Sequence, residues 1–428
     1  MARPSSSPPP SKAKSTRPAK PAKESDASSG WQRFRRAAWR WTKRGLIAAP
    51  IVVVLLWIAV HTFPGLGPVL ADTLRAVIGK DAVTSIENKA YAVQDRFNQW
   101  WYGNEPPKAY WEVPAAADSA LPEAPSATPD AGPPPLPPFR PADIGPVHKS
   151  WSAPGDGQWV PIKDAQHPEA ETAMFKTLLH SDRNRSWAEV FVVAVDLRRV
   201  ELHAMAGYQE PKSFEVAGSK YKRAAKIPAE DLPRLLGAFN GGFKTEHGYY
   251  GMKIDGITLV KPRPKACTVA KFKDGTLRIA TWQTIEGIED KMLWFRQAPG
   301  CMYEDGKRHP GLMDPDARAW GATLDGETVI RRSAIGLDEK GDVLYVAITK
   351  DTTARALADG MHHAGAATVA QLDVNWSYPK FLLYEPVDGG TMLKAVPLAK
   401  GFEHKDDEYV SARSMRDFFY LTRKPDDG

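Results

Sequence analysis

The sequence contains one uninterrupted apolar run that limits how the chain can be arranged. From Gly45 to Phe63, nineteen residues carry no Asp, Glu, Lys or Arg. A helix over this run would be about 28 Å long, which is close to the thickness of a bilayer core. The run therefore predicts a transmembrane helix, and we expect the polypeptide on its two sides to lie in different compartments.

Charge is distributed unequally on the two sides of this run. Residues 1–44 contain twelve Lys or Arg and two Asp or Glu, whereas the rest of the chain has a net charge of −4. The positive-inside rule places the basic tail in the cytoplasm and the larger C-terminal part in the periplasm or outside the cell. Because the positive excess belongs to the tail, the charge does not indicate a nucleic-acid-binding domain, and no nucleic-acid partner is expected.

A cleaved signal peptide is the alternative explanation of the same run. Val69 and Ala71 would suit the small residues of a cleavage site. The 44-residue leader and the length of the apolar run favour an uncleaved anchor. In both cases the chain after the run is expected on the non-cytoplasmic side.

Changes in composition predict five segments. They are a disordered basic tail (1–44), the anchor (45–63), a stalk (64–112), a proline-rich linker (113–147) and a folded domain (148–428). The tail has too few large apolar side chains to form a core. Within the stalk, residues 70–101 show the spacing of an amphipathic helix, for the membrane surface or a partner. Packing of this helix on the downstream domain is the alternative. The linker contains eleven prolines, so we expect it to be extended and to hold the domain away from the bilayer.

The folded domain is predicted to be α+β, with antiparallel or mixed sheets and few helices. Apolar runs over 189–196 and 200–205 are typical of neighbouring strands. Asp-Gly pairs at 255–256 and 274–275 predict two hairpins. A helix is expected over 352–364, with Thr352 or Thr353 as its N-cap.

Two cysteines, Cys267 and Cys301, lie in the part of the chain expected outside the cytoplasm. In an oxidising compartment a disulfide between them is the default expectation. It would close a loop of about 35 residues, worth about 3–4 kcal/mol in the chain-entropy model. Two buried thiols are the alternative.

The first cluster of candidate site residues follows an apolar strand predicted over 235–239. Its members are Asn240, Gly241, Gly242, Lys244, Glu246 and His247. Glycines let the backbone approach a ligand closely and present N–H groups to an anion. The last three residues would supply a cation, a carboxylate and an imidazole. A glycine-rich turn with solvated charges is the alternative explanation.

Two further clusters lie later in the chain. Arg332 begins a strand, where a guanidinium can bind a phosphate or carboxylate with two hydrogen bonds; an exposed charge at a sheet edge is the alternative. Asp373 follows a predicted buried strand and is followed by Asn375 and Trp376, which together would suit a sugar site. An ordinary turn is the alternative there. No zinc-type ligand spacing is present, and neither a metal nor a cofactor is expected.

The order of these clusters resembles the phosphodiester glycosidase family, the relatives of the uncovering enzyme. Residues 240–243 match its Asn-Gly-Gly-Phe motif, and residues 332–336 match an Arg-Thr-Ala-Ile-Gly type motif with Ser in the Thr position. A helix ending in Gly-Ala at 365–366 then leads to Leu-Asp at 372–373. The resemblance covers about residues 185–425 of the chain.

This resemblance implies a membrane-anchored hydrolase that cleaves a sugar-1-phosphodiester or a related glycosidic linkage in envelope polysaccharide. Asp373 or Glu246 would be the base, the nucleophile or the stabiliser of an oxocarbenium ion. Arg332 and Lys244 would hold the phosphate. The remaining implied roles are proton transfer for His247, orientation of sugar hydroxyls for Asn240 and Asn375, and backbone contacts with substrate for Gly241 and Gly242.

The sequence departs from that family directly after Leu-Asp. Members usually continue with Gly-Gly-Gly-Ser, whereas this chain has Val374, Asn375, Trp376 and Ser377. The bulky residues motivate a second hypothesis, a glycan-binding envelope protein without turnover. A third hypothesis is a tether that holds a partner through residues 70–101.

Overall fold

The computed structural model of the protein describes residues 76–113, 136–313, 329–375, 377–390 and 392–425, together with Trp39, Val52, Leu55, Ala59, Leu70, Thr73, Leu74 and Trp320. The chain divides into two compact units, Met1–Leu70 and Ala71–Gly428. Among the described residues, no helix has both the length and the apolar character needed to cross a membrane. The predicted anchor, the basic tail and most of the linker lie outside these residues except at single positions, so those assignments stay predictions.

The second unit is mostly antiparallel β-sheet with few helices, which confirms the predicted α+β class. Its helices are α1 (Lys80–Tyr102), α2 (Val216–Ser219), α3 (Trp282–Ile285) and α4 (Ala354–His363). Its strands are β1 (Val160–Ile162), β2 (Met174–His180), β3 (Glu189–Asp196), β4 (Val200–Met205), β5 (Leu235–Asn240), β6 (Met252–Ile254), β7 (Ile257–Val260), β8 (Cys267–Phe272), β9 (Leu277–Thr281), β10 (Met292–Ala298), β11 (Tyr303–Glu304), β12 (Lys307–Arg308), β13 (Arg332–Leu337), β14 (Val343–Thr349), β15 (Thr368–Val374), β16 (Phe381–Val387), β17 (Met392–Pro397) and β18 (Phe418–Arg423).

These strands form three sheets. The largest has the order β1-β2-β3-β14-β13-β15-β11-β12, and the two smaller sheets have the orders β7-β6-β10-β8-β9 and β17-β16-β5-β18-β4. Strands β13 and β15 are neighbours inside the large sheet, while β5 lies in the middle of the last one. The three sequence clusters are therefore carried by the inner strands of two sheets.

The large sheet is covered on both faces, as β3 illustrates. Alternate residues point to opposite faces of a strand. Phe191, Val193 and Val195 join a core shared with the two smaller sheets. Val190 and Val192 join a second core that includes α4. Burial on both faces explains why this strand is a nearly continuous apolar run in the sequence.

Local sequence signals determine several boundaries as predicted. The β6–β7 hairpin turns at Asp255 and Gly256, which both have positive φ, as its two-residue turn requires. The Thr353 hydroxyl accepts a hydrogen bond from the Ala356 amide and caps α4. The disulfide between Cys267 and Cys301 is present, which confirms the predicted pairing.

Helix α1, within the predicted stalk, contacts the folded domain directly. The Asp95 carboxylate on α1 pairs with Arg185, just before β3. The Tyr110 ring, on the segment after α1, packs on Phe191 with centroids 4.8 Å apart. Helix α1 therefore packs against the sheets, as the alternative interpretation of this segment expected, while the extended linker stays a prediction.

Candidate functional site

Asn240 joins the three sequence clusters in space. It is the last residue of β5 and is fully buried. Its side-chain nitrogen donates to Ser333 Oγ at 2.8 Å, and the Ser333 hydroxyl in turn donates to the carbonyl oxygen of Asp373 at 3.0 Å. The Asn240 side-chain oxygen accepts from the Lys380 amide at 3.1 Å. The sequence order of the clusters thus corresponds to one contiguous region where β5, β13 and β15 meet.

The glycine pair after β5 is packed against a carboxylate of the protein itself. The Gly242 amide donates to Asp417 Oδ2 at 2.9 Å, and the Gly241 amide donates to the Asp417 carbonyl oxygen at 2.9 Å. A Cβ on Gly241 would lie 2.3 Å from Asp417 Oδ2. The expectation that these N–H groups face a substrate anion therefore differs from the structure, where Asp417 occupies them.

Arg296 completes this arrangement from the neighbouring sheet. Its Nε donates to Asp417 Oδ2 at 2.8 Å, and one terminal nitrogen donates to the Phe243 carbonyl oxygen at 2.6 Å. A Cβ on Gly242 would lie 2.7 Å from the Arg296 guanidinium carbon. Glycine is required at both positions because the Arg296–Asp417 pair fills the adjacent space.

A second buried ion pair lies on the other side of the turn. A terminal nitrogen of Arg416 donates to Asp373 Oδ2 at 2.7 Å and to the Gly242 carbonyl oxygen at 2.9 Å. The Asn375 amide group donates to the same Asp373 oxygen at 3.2 Å. The sequence predicted that Asp373 follows the strand, but it lies within β15. Its side chain is only 3% exposed.

The Arg416 guanidinium is held by stacking as well as by charge. It lies over the Tyr378 ring, 4.3 Å from the centroid, and the Tyr378 hydroxyl donates to the Asp417 carbonyl oxygen. Its Nε is buried and has no hydrogen-bond partner among the described residues. Native proteins rarely leave a buried charged donor unsatisfied, so this N–H marks a position where an acceptor could bind.

The electrostatics of the region follow from its burial. Burial raises the pKa of the Asp373 carboxyl above its ordinary value; the Arg416 guanidinium opposes this shift, and the Asp417 carboxylate adds to it. Burial also raises the pKa of the Tyr378 hydroxyl, which remains a neutral donor. Two carboxylates and two guanidiniums therefore share a site shielded from water, where each charge depends strongly on its partner.

Arg332 lies elsewhere than expected. It is not at a sheet edge but in the middle of the large sheet, fully buried. Its guanidinium donates to the carbonyl oxygens of Trp320 and Thr352 at 3.0 and 3.2 Å, and to the Gln371 side chain at 3.0 Å. The alternative of an exposed edge charge is wrong, because β14 and β15 flank this strand. A phosphate-binding role for Arg332 stays a prediction.

The remaining residues of the first cluster form a short turn beyond Phe243. Residues Thr245–His247 make one turn of 3-10 helix. The Thr245 amide and hydroxyl donate to the buried Glu210 carboxylate at 3.0 and 2.9 Å. Glu246 lies 3.6 Å from Lys212. Lys244, Glu246 and His247 are half-buried on this turn, and their catalytic and binding roles stay predictions.

The third cluster combines a turn with a contact to the carboxylate. The Asn375 side-chain oxygen accepts from the amides of Ser377 and Tyr378 at 2.9 and 2.6 Å, which is the local bonding of an Asx turn. Its nitrogen simultaneously contacts Asp373, as described above. Trp376 lies outside the described residues. Within the described part of the chain, no group of His, Cys, Asp and Glu is arranged to hold a metal ion.

Four residues of this site were not predicted from the sequence: Arg296, Tyr378, Arg416 and Asp417. Two signals were available. Arg296 is the one charged residue in the otherwise apolar and amide segment of β10, and a charge in such a strand indicates a buried partner. Arg416 and Asp417 are adjacent opposite charges immediately before the apolar strand β18. Neither signal identifies which residue is the partner, because the pairs join segments more than forty residues apart in the sequence.

Comparisons with known proteins add little to this geometry. No protein-family model matches the chain, and no curated protein matches it in sequence. The catalytic domain of zebrafish N-acetylglucosamine-1-phosphodiester α-N-acetylglucosaminidase, auto-inhibited by its pro-peptide, is similar at 15% identity and a TM-score of 0.37, over 62% of this chain and 88% of that one. A hypothetical protein from Synechocystis is similar at 11% identity and a TM-score of 0.32, over 60% and 65%. At such values neither likeness carries an argument about activity.

Proposed function

We propose that the chain is an extracytoplasmic hydrolase, anchored in a membrane from Gly45 to Phe63, that cleaves a sugar-1-phosphodiester or a related glycosidic linkage in envelope polysaccharide. One observation carries the proposal. The Asp373 carboxylate lies 2.7 Å from an Arg416 guanidinium whose buried Nε has no partner among the described residues. A carboxylate beside an available cationic donor is the pair that cleavage of a sugar–phosphate bond needs.

The chemistry divides between these two residues. Arg416 Nε would donate to a phosphate oxygen, because guanidinium N–H groups match phosphate geometry. As the bond between the sugar C1 and the phosphate oxygen breaks, the electron pair leaves with the phosphate, which needs little protonation. As nucleophile, Asp373 would bond to C1 and form a glycosyl ester, which water then hydrolyses to release the sugar and regenerate the carboxylate. As base, it would instead take a proton from a water that attacks C1 directly. In either role it must be ionised.

The other predicted residues take supporting places in this proposal. The Asn375 side-chain nitrogen donates to the Asp373 carboxylate at 3.2 Å. When substrate binds, this nitrogen would donate to a sugar hydroxyl instead. Asn240 would position the strand ends through Ser333 rather than contact substrate, because its side chain is fully buried. Arg416 replaces Arg332 as the proposed phosphate ligand, because the buried Arg332 guanidinium is bonded to the carbonyl oxygens of Trp320 and Thr352.

The test is product release from a substrate panel. The full chain in detergent is incubated with sugar-1-phosphodiesters and envelope glycans, and products are followed by mass spectrometry. Asp373→Asn is compared with Asp290→Asn, which changes an exposed carboxylate on the segment before β10. Release by the wild type and by Asp290→Asn, but not by Asp373→Asn, is the expected result. Equal release by all three proteins would remove Asp373 from the mechanism.

The burial of Asp373 supports one alternative, a glycan-binding protein without turnover. A side chain that is 3% exposed and covered by Arg416 and Asn375 is poorly placed to attack a polymer. This alternative expects retention of a glycan on an affinity column with no product, and retention unchanged in Asp373→Asn. Neither release nor retention for any glycan tested would contradict both functions.

A further inference from the structure

Helix α1 leaves a continuous apolar stripe uncovered. Ile86, Val93, Phe97, Trp100 and Trp101 are each more than half exposed, with Trp100 the most exposed at 75%. At 100° per residue these positions fall along one side of the helix. The helix has 23 residues and is about 35 Å long. Such a stripe is unusual on a water-exposed surface and indicates an interaction site.

A different side of α1 packs against the sheets. The Asp95 carboxylate accepts two hydrogen bonds from Arg185, each 2.7 Å long. The Tyr102 ring approaches Trp187, with centroids 6.0 Å apart. Because a paired guanidinium and carboxylate constrain rotation, the helix presents the apolar stripe in one direction relative to the domain.

The C-terminal end of the stripe is an aromatic cluster. The ring centroids of Phe97, Trp100 and Trp101 lie 5.7–5.9 Å from one another. Trp side chains favour the boundary between lipid headgroups and acyl chains, because the ring is apolar and the indole N–H can still reach a polar partner. An exposed cluster of two Trp and one Phe is therefore typical of a membrane-interface contact.

The sequence before α1 points to the same occupant. Leu74, Val77 and Ile78 are also exposed, so uncovered apolar side chains continue toward the segment predicted to enter the bilayer. Only residues 64–79 separate that segment from α1. No charged side chain belongs to the stripe itself, which suits insertion among lipids rather than pairing with a charged protein surface.

We propose that α1 lies on the extracytoplasmic surface of the bilayer, with the stripe from Ile86 to Trp101 in the headgroup region, and thereby holds the domain against the membrane. The proposal rests on the membrane anchor of the proposed function but not on its chemistry.

The test places a fluorophore on either side of the helix in the full chain. Both native cysteines are in the disulfide, so Val93→Cys and Ala92→Cys each provide one reactive thiol. Val93 is on the stripe, whereas the exposed Ala92 is a quarter-turn away. Each labelled protein is reconstituted in phosphatidylcholine–phosphatidylglycerol vesicles that contain a lipid-bound quencher. We expect several-fold stronger quenching at position 93 than at position 92, and a loss of that difference in Trp100→Ser/Trp101→Ser.

Three results would overturn the proposal. Equal quenching at the two positions would show that the stripe does not contact lipid. A blue-shifted, unquenched label at position 93 that depends on protein concentration would identify a second copy of the chain as the occupant. If the chain did not float with vesicles after carbonate washing, both the membrane anchor and the docking of α1 would be rejected. The quenching difference does not depend on glycan cleavage, so this proposal can fail or hold separately from the proposed hydrolase activity.

Discussion

Arg416 and Asp417 are consecutive residues beside the glycine turn, and each belongs to a buried ion pair, Arg416 with Asp373 and Asp417 with Arg296. The two pairs differ in whether all of their hydrogen-bonding groups have partners. The Asp417 carboxylate is bonded to Arg296 and to the Gly242 amide, and Arg296 also donates to three carbonyl oxygens. Arg416 pairs with Asp373 but keeps a buried N–H without a partner among the described residues. A closed network stabilises a fold, while an open one has capacity for a ligand. We therefore regard Asp417 as a structural residue and propose Arg416 as the residue that would bind a ligand.

Breaking the closed pair should have the largest effect. Arg296→Met would leave Asp417 charged and buried, so we expect a loss of about 3–5 kcal/mol in the free energy of unfolding. Chemical denaturation followed by circular dichroism measures it, with the exposed Arg278→Met as control. A loss no larger than that of the control would mean that the two pairs do not differ as described.

Changing the open pair should affect activity more than stability. Arg416→Lys keeps the charge but loses the Nε donor, so kcat/KM on a responsive substrate should fall by about 10²-fold. Arg183→Lys, on an exposed loop, is the matched control. If unfolding free energy falls by several kcal/mol while the activity per folded molecule is kept, Arg416 is structural like Asp417.

Gly241→Ala tests the packing between the two pairs. The new Cβ would meet the Asp417 carboxylate at 2.3 Å, and overpacking of this kind costs about 1–3 kcal/mol. Gly287→Ala, where a Cβ would meet nothing within 4 Å, is the control. Thermal unfolding of the two variants compares them directly, and equal melting temperatures would argue that the turn can move away from Asp417.

The pH dependence of activity should reflect the raised pKa of Asp373. Because the ionised carboxylate is the reactive form, kcat/KM should fall as the pH drops through this pKa, at a higher pH than for an ordinary Asp. Arg416→Gln removes the cation that lowers the pKa, so the acid limb should move to still higher pH. An acid limb that does not move in this variant would separate the kinetic group from Asp373.

The smallest effect is expected for Tyr378→Phe. The change removes the hydrogen bond to the Asp417 carbonyl oxygen and keeps the ring beneath Arg416. We expect a loss of about 1 kcal/mol in unfolding free energy with kcat/KM nearly unchanged. Tyr208→Phe, on a partly exposed ring, serves as the reference. A large loss of activity would give the Tyr378 hydroxyl a role in the open pair.

Much of the local structure could be predicted from the sequence. Strand β3 follows from an apolar run, the β6–β7 hairpin from a two-residue Asp-Gly turn, and the cap of α4 from one hydroxyl. All three are short-range signals. Strands β2 and β10 were missed. In β10, Arg296 interrupts the apolar run, and only its distant partner Asp417 makes a charge tolerable there.

The sequence alone determined the fold class, most strand positions, the disulfide and the proximity of the three clusters, because these follow from apolar patterning, turn chemistry and the order of motifs. Only the tertiary structure decided the content of the site. In the structure, Asp417 accepts the hydrogen bonds of the Gly241 and Gly242 amides. Arg332 is buried in the middle of the large sheet, and Arg416 pairs with Asp373. The physical reason is that buried charges are placed by partners far away in the chain, and pairing across sheets leaves no periodic trace in the sequence.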